Sequence, residues 1–157
     1  MSTLVVCDID GVLADCEHRL HYKDEKDYDS FYGIAMADDT KIESGINLLS
    51  AIYHGLSDYR FVYLTGRPER TRNITDLWLR GAFCPYGELV MRADGDHRKS
   101  EIVKPEIFAN WLAEQRKIGR EWDEIFYIDD DMKNVVAFHE AFPDATVLTF
   151  GTNRFNI

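Results

Sequence analysis

Five short apolar runs, separated by segments of helical periodicity, constrain this chain more than any other feature of its sequence. The runs cover residues 4–7, 61–64, 89–91, 125–128 and 146–150. Each is nearly continuous in hydrophobicity, as in strands covered on both faces. Between them, Ile46, Leu49, Ile52, Tyr53 and Leu56 share one helical face, and so do Ile74, Leu77 and Trp78. Ile107, Phe108, Trp111 and Leu112 form a third stripe, and Val135, Val136, Phe138 and Phe142 a looser fourth. Parallel strands need crossover connections, so this alternation predicts an α/β fold. The expected core is a parallel sheet of about five strands with helices on both faces. Ligands of such folds bind outside the carboxyl ends of the strands, so the polar residues that follow each run come into focus.

The sequence has no internal repeat, low-complexity tract or Gly/Ser linker, so one domain over 1–157 is expected. Residues 15–42 fit no strand–helix unit and are rich in charge and aromatics, including His18, Arg19, His21, Tyr22, Tyr28, Phe31 and Tyr32. So long a connection predicts a functional insertion, a small cap over the end of the first strand. No apolar run approaches the ~20 residues that span a bilayer. The start enters a strand-like run without a basic segment, so no secretory signal is expected. Cys7, Cys16 and Cys84 are scattered and form no Cys-x-x-Cys pair; they are expected to be reduced thiols of a cytoplasmic protein. The formal net charge of −10 attracts metal cations and opposes extended nucleic-acid binding. It leaves room for a small nucleotide or one strand end held by a few Arg and Lys.

The chemistry-bearing residues gather where the runs end. The first run leads into Asp8-Ile9-Asp10-Gly11-Val12-Leu13, where alternation turns Asp8 and Asp10 the same way and Ile9 into the core. Two adjacent carboxylates need a cation or a shared proton; Mg²⁺ is the hard, oxygen-seeking candidate. The second run leads into Thr65-Gly66-Arg67-Pro68, where a hydroxyl and two amides precede the next helix, suiting either a phosphate or an ordinary N-cap. After the third run come His97-Arg98-Lys99 and Lys104, positive charge that either faces the acids or is merely solvated. The fourth run ends in Asp129-Asp130-Asp131. A helix N-terminus accounts for one of these acids but hardly for three.

Taken together, these four motifs resemble those of haloacid dehalogenase-type phosphatases: Asp8-Ile9-Asp10-Gly11-Val12-Leu13 the first, Thr65-Gly66-Arg67 the second, Lys104 the third, Asp129-Asp130 the fourth. The segment MRADGDHRKSEIVKPEIF, residues 91–108, is similar to the 3′-phosphatase domain of phage-type polynucleotide kinases, and Arg19 stands where that domain carries an Arg. One departure is Ser100, with Glu101 beside it, where that family has an acid four positions before its Lys. No Walker-type loop is present, so no kinase half is expected within these residues.

The resemblance implies a Rossmann-like phosphatase in which Asp8 is the nucleophile and Asp10 the general acid and base. It implies Mg²⁺ held by Asp8, Asp10 through its main-chain carbonyl, Asp129 and Asp130. Thr65 and Lys104 would hold phosphate oxygens, while Arg19, Gly66 and Arg67 would bind substrate. The implied substrate is a nucleotide or nucleic-acid 3′-phosphate. A 5′-nucleotidase or small-metabolite phosphatase is the alternative, and a non-enzymatic phospho-receiver domain is a remote one. The receiver pattern fits poorly, because no Asp ends the third run and Asp94 lies beyond Arg92-Ala93.

Overall fold

Along the first strand, β1 (Thr3–Cys7), side chains alternate between two apolar layers. Val5 and Cys7 join one core cluster and Leu4 and Val6 the other. A computed structural model describes residues 1–151 of the chain. Beyond β1 the elements are β2 (Ala14–Asp15), α1 (Leu20–Asp24), α2 (Tyr28–Phe31), β3 (Thr40–Lys41) and α3 (Glu43–Gly55). They continue with β4 (Tyr59–Pro68), α4 (Arg72–Gly81), β5 (Gly87–Arg92), α5 (Ser100–Lys117), β6 (Glu124–Asp129), α6 (Met132–Ala141) and β7 (Thr146–Thr149).

Five strands form one parallel sheet in the order β5-β4-β1-β6-β7. Counted along the chain this is 3-2-1-4-5, the doubly wound order of dinucleotide-binding halves; receiver domains follow 2-1-3-4-5. The topology therefore excludes the receiver alternative. The chain reverses direction across the sheet between β1 and β6, and the crevice there belongs to Asp8 and Asp129.

Helices cover both faces. Leu49 of α3 and Leu79 of α4 pack with Phe61, Tyr63 and Leu89 on one side. On the other, Phe108 and Leu112 of α5 and Phe138 of α6 pack with Val62, Leu64 and Tyr127. Fully buried Phe108 lies 5.2 Å from Phe138 between ring centroids, and truncating such a side chain costs about 3–5 kcal/mol. No helix among the described residues is long and apolar enough to cross a membrane.

The apolar stripes did not all turn inward. Leu77 is 68% exposed and Val136 48%, although each shares a stripe with buried neighbours. Ile74 and Trp78 are half-buried beside Leu79, so the inner face of α4 is rotated from the Ile74/Leu77/Trp78 stripe towards Thr75 and Leu79. Strand β4 also runs past its apolar run to Pro68, with a shift of register between Thr65 and Pro68. A turn of 3-10 helix, Glu69–Thr71, then intervenes, so α4 begins at Arg72, not directly after Gly66 and Arg67.

Within residues 15–42, the stretch 16–39 between β2 and β3 contains the short helices α1 and α2 and two 3-10 turns, Glu17–Arg19 and Ile34–Asp38. Strands β2 and β3 pair antiparallel and close the base of this insertion. Its interior is small: Phe31 and Met36 are its buried apolar side chains, with the fully buried Arg19 beside them.

Candidate active site

The backbone after β1 fixes the first two acids. Ile9 is fully buried, and its carbonyl accepts hydrogen bonds from the amides of Leu13 and Ala14. The resulting turn leaves Asp8 and Asp10 in the crevice. Gly11 sits at φ +86°, and a Cβ there would lie 2.0 Å from the carboxylate of Asp130. Only glycine fits a positive φ with so close an approach.

On the β6 side of the crevice, acids outnumber cations. Lys104 Nζ lies 2.9 Å from Asp8 Oδ1 and 2.6 Å from Asp129 Oδ2, and all three side chains are buried. Asp129 also accepts from the Tyr127 hydroxyl, the Asp131 amide and the Asn134 amide nitrogen. Burial and the neighbouring Asp129 push the Asp8 carboxyl well up; Lys104 opposes them. Burial works in the same direction on Asp129, but Lys104 and the hydrogen bonds outweigh it and hold that group below the usual range. Asp130, at the exposed mouth, is pushed up to about 6 by partial desolvation and the charge of Asp129. One lysine thus serves three carboxylates.

Oxygens of Asp8, Asp129 and Asp130 lie within 4.8 Å of one another. A hard divalent cation fits this all-oxygen, charge-deficient donor set. The buried Cys7 thiol is pushed well up by burial and stays protonated, so it adds no soft ligand. Asn134 Oδ1 is buried without a hydrogen-bond partner, an acceptor left over beside the same carboxylates.

On the β4 side the charges balance. Arg67 donates to both oxygens of Asp10, at 2.6 and 3.1 Å, and to Asp39 at 2.9 Å. Arg19 donates to both oxygens of Asp39, at 2.8 Å each, to Asp10 at 3.2 Å and to the Phe31 carbonyl. Its guanidinium stacks on Phe31, 4.5 Å from the ring centroid. Both arginines are fully buried. Burial would raise the Asp10 carboxyl, but Arg67 and then Arg19 outweigh it and hold Asp10 below the usual range. Asp10 is therefore neutralised by arginine, a partner that its spacing with Asp8 does not suggest.

Thr65 is fully buried at the end of β4, and its hydroxyl accepts from the Arg67 amide at 3.2 Å. Gly66 is anchored through its carbonyl, which accepts from Arg92 Nε at 2.9 Å. Arg92 also donates to the carbonyls of Asp96 and Arg98 and to the Ser100 hydroxyl, fastening the β5–α5 loop to the β4 loop. In the basic run, Arg98 is spent on Asp96 and Glu106, so Lys104 is the basic residue after β5 that enters the crevice.

The structure thus gathers Asp8, Lys104, Asp129 and Asp130 on one side and Asp10, Arg19 and Arg67 on the other, with Thr65 and Gly66 at the β4 end. Sequence reasoning missed Asp39, Tyr127, Asn134 and Arg92. Tyr127 carried a signal: two residues before Asp129 on β6, it faces the same way. Asp39 carried none, because nothing in the irregular insertion separates it from Asp38.

The family model for the polynucleotide kinase PNKP phosphatase domain matches residues 2–142. A chain of the Pnkp1/Rnl/Hen1 RNA repair complex superposes with a TM-score of 0.73 at 23% identity, covering 99% of this chain and 44% of that one. The chain thus spans less than half the length of that neighbour. A haloacid dehalogenase-like hydrolase from Streptococcus pneumoniae superposes at 0.65 and 13% identity, covering 94% and 84%. CbbY from Rhodobacter sphaeroides, in complex with phosphate, gives 0.61 at 14%, covering 100% and 90%. At these identities the neighbours show the fold alone. No curated protein sequence matches the chain.

Proposed function

The chain belongs to the family of polynucleotide kinase PNKP phosphatase domains within the haloacid dehalogenase superfamily, and it is a phosphatase; we propose that it hydrolyses nucleotide or nucleic-acid 3′-phosphates through an aspartyl-phosphate on Asp8. The observation that carries the proposal is the buried triad at the ends of β1 and β6: Asp8 and Asp129 share Lys104, and Asp130 closes the acidic cluster.

In this account the Asp8 carboxylate attacks phosphorus in line, a P–O bond to Asp8 forms, and the ester P–O bond breaks. The departing oxygen takes a proton from Asp10. Asp10 then accepts a proton from the water that attacks the aspartyl-phosphate, releasing inorganic phosphate and restoring Asp8. The arginines hold Asp10 as a carboxylate in the substrate-free protein. A phosphate dianion arriving beside them raises its proton affinity, which prepares it to act first as an acid.

Phosphatases of this superfamily generally use Mg²⁺, and Asp8, Asp129 and Asp130, with the main-chain carbonyl of Asp10, are the groups that would hold it. Bound there, it would neutralise charge on the phosphoryl oxygens. In this reading Lys104 neutralises the phosphoryl group from the α5 side, and Thr65 and the backbone about Gly66 bind its oxygens.

The substrate assignment rests on the family match and on Arg19 and Arg67 beside Asp10. Phosphate release is to be compared among 3′-phosphorylated oligonucleotides, 3′- and 5′-mononucleotides and sugar phosphates, with Mg²⁺. The 3′-phosphates are expected to give the highest kcat/KM. A preference for 5′-mononucleotides or sugar phosphates would replace the 3′-end assignment with the nucleotidase or small-metabolite one.

A further inference from the structure

Beside the reaction crevice, a cavity of about 400 Å³ lies between the insertion and the loops that follow β4, β5 and β6. Among the described residues, six Lys and Arg line it: Lys23, Arg70, Arg92, Arg98, Lys99 and Lys133. Only three carboxylates do, Asp96, Glu101 and Asp131. In a protein of net charge −10 this is a local reversal of sign. Two of the six are paired, Arg98 with Asp96 and Glu106 and Arg70 with Asp29 and Asp94, while Asp131 accepts from the Lys133 amide at the start of α6. Among the described residues, Lys23, Lys99 and Lys133 form no ion pair. Arg92, in the floor, donates to three carbonyls and a hydroxyl, so no carboxylate cancels its charge.

The cavity adjoins the site through neighbours of its residues. Tyr32 lines it, and the hydroxyl of Tyr32 is pushed up by burial and then by the charge of Asp10. Ser100 lines it too, with its Oγ 3.2 Å from the Cβ position of Gly66. Asp131, next to Asp130, forms the opposite rim. Tyr28, 42% exposed, presents an aromatic surface in the cavity wall.

We propose that this cavity is the subsite for a second phosphate, the phosphodiester that follows the terminal 3′-phosphate along a nucleic-acid strand. The proposal rests on the 3′-phosphatase assignment above and adds what holds the strand behind its end. Lys99 and Lys133 face the diester from two sides of the cavity, Lys23 approaches from the insertion, and Tyr28 and Tyr32 flank the intervening sugar and base. A cavity of about 400 Å³ confines contact to the last nucleotides, in keeping with the acidic remainder of the surface.

The test compares two dinucleotide 3′-phosphates that differ only in the internucleotide link, an ordinary phosphodiester against a neutral methylphosphonate. Exposed charge contacts contribute modestly one by one, so several together are expected to give the diester an advantage of about tenfold in kcat/KM. In Lys99→Ala/Lys133→Ala that advantage falls to about twofold or less, while p-nitrophenyl phosphate and a nucleoside 3′-monophosphate keep wild-type turnover. Equal rates on the two dinucleotides in the wild type, or an undiminished advantage in the double variant, would overturn the subsite and leave the 3′-phosphatase assignment intact. Turnover of p-nitrophenyl phosphate with no hydrolysis of any 3′-nucleotide would overturn both.

Discussion

The two sides of the crevice treat charge in opposite ways. On the β6 side, Asp8, Asp129 and Asp130 share Lys104 and remain short of positive charge. On the β4 side, Asp10 and Asp39 meet Arg19 and Arg67 in a closed network, with His18 at 2.9 Å from Asp39. A deficit invites a cation and makes stability depend on it. A balanced buried network holds its geometry without one, because any single loss leaves an unpaired charge in a dry place.

The largest expected effect is on chemistry. Asp8→Asn removes the nucleophile while keeping its shape, and kcat should fall at least about 10⁴-fold with the fold retained. Steady-state phosphate release beside a thermal melt checks both halves. Asp10→Asn should cost about 10²–10⁴-fold on nucleotide esters. Its loss should be smaller in forming the phosphoenzyme from p-nitrophenyl phosphate, whose leaving group needs little protonation; equal losses would count against the acid–base role.

Next comes stability, where the two sides should part. Asp39→Asn leaves two buried arginines with one carboxylate, a cost of about 3 kcal/mol. For a chain of this length that is a Tm lower by about 6–12 °C. Mg²⁺ should not restore it. Lys104→Met should destabilise the metal-free protein by a similar amount, but there Mg²⁺ supplies the missing charge and should recover half or more. Melting curves of both variants in EDTA and in Mg²⁺ decide the matter; equal recovery in the two would erase the distinction between the sides.

For the wild type, Mg²⁺ at about 100 times its Kd should add about 2.7 kcal/mol of stability. The smallest effect is the pH dependence of the metal-free protein. Asp130 is pushed up to about 6 and Asp8 is pushed in the same direction. Between pH 4 and 6 the folded state therefore binds more protons at Asp130 than the unfolded chain, and this contribution to stability falls as pH rises through that range. Mg²⁺ should reverse the trend by favouring the ionised acids. Urea midpoints at pH 4.5 and 6.5, with and without Mg²⁺, measure the sign.

The β6 side was almost fully legible in the sequence, and the β4 side only in part. Continuous apolar runs announce buried strands, and the polar residue after each run must emerge at the same sheet edge, so Asp8, Thr65 and Asp129 were placed by periodicity. Lys104, in the second turn of α5, was singled out by its resemblance to the third motif; a lysine after a strand is by itself as often merely solvated. Arg19 and Arg67 were picked out as groups facing a substrate; periodicity could not say that each would be fully buried against Asp10 and Asp39. The partner Asp39 reaches the site through an irregular path of short helices and turns, where no repeat of 2 or 3.6 residues marks which face is inward. Exposure of Leu77 and Val136 has a related cause: a short stripe does not fix the rotation of its helix to within one residue.

The central claim is covalent chemistry at Asp8, and trapping the phosphoenzyme tests it most directly. With a substrate carrying labelled phosphate, rapid acid quenching in Mg²⁺ should leave label on the chain, and peptide mapping should place it at Asp8. The label should be absent in EDTA and in Asp8→Asn, and it should be lost on treatment with hydroxylamine, as an acyl phosphate is. Full turnover with no label at Asp8 at any quench time, or label on another residue, would contradict the account.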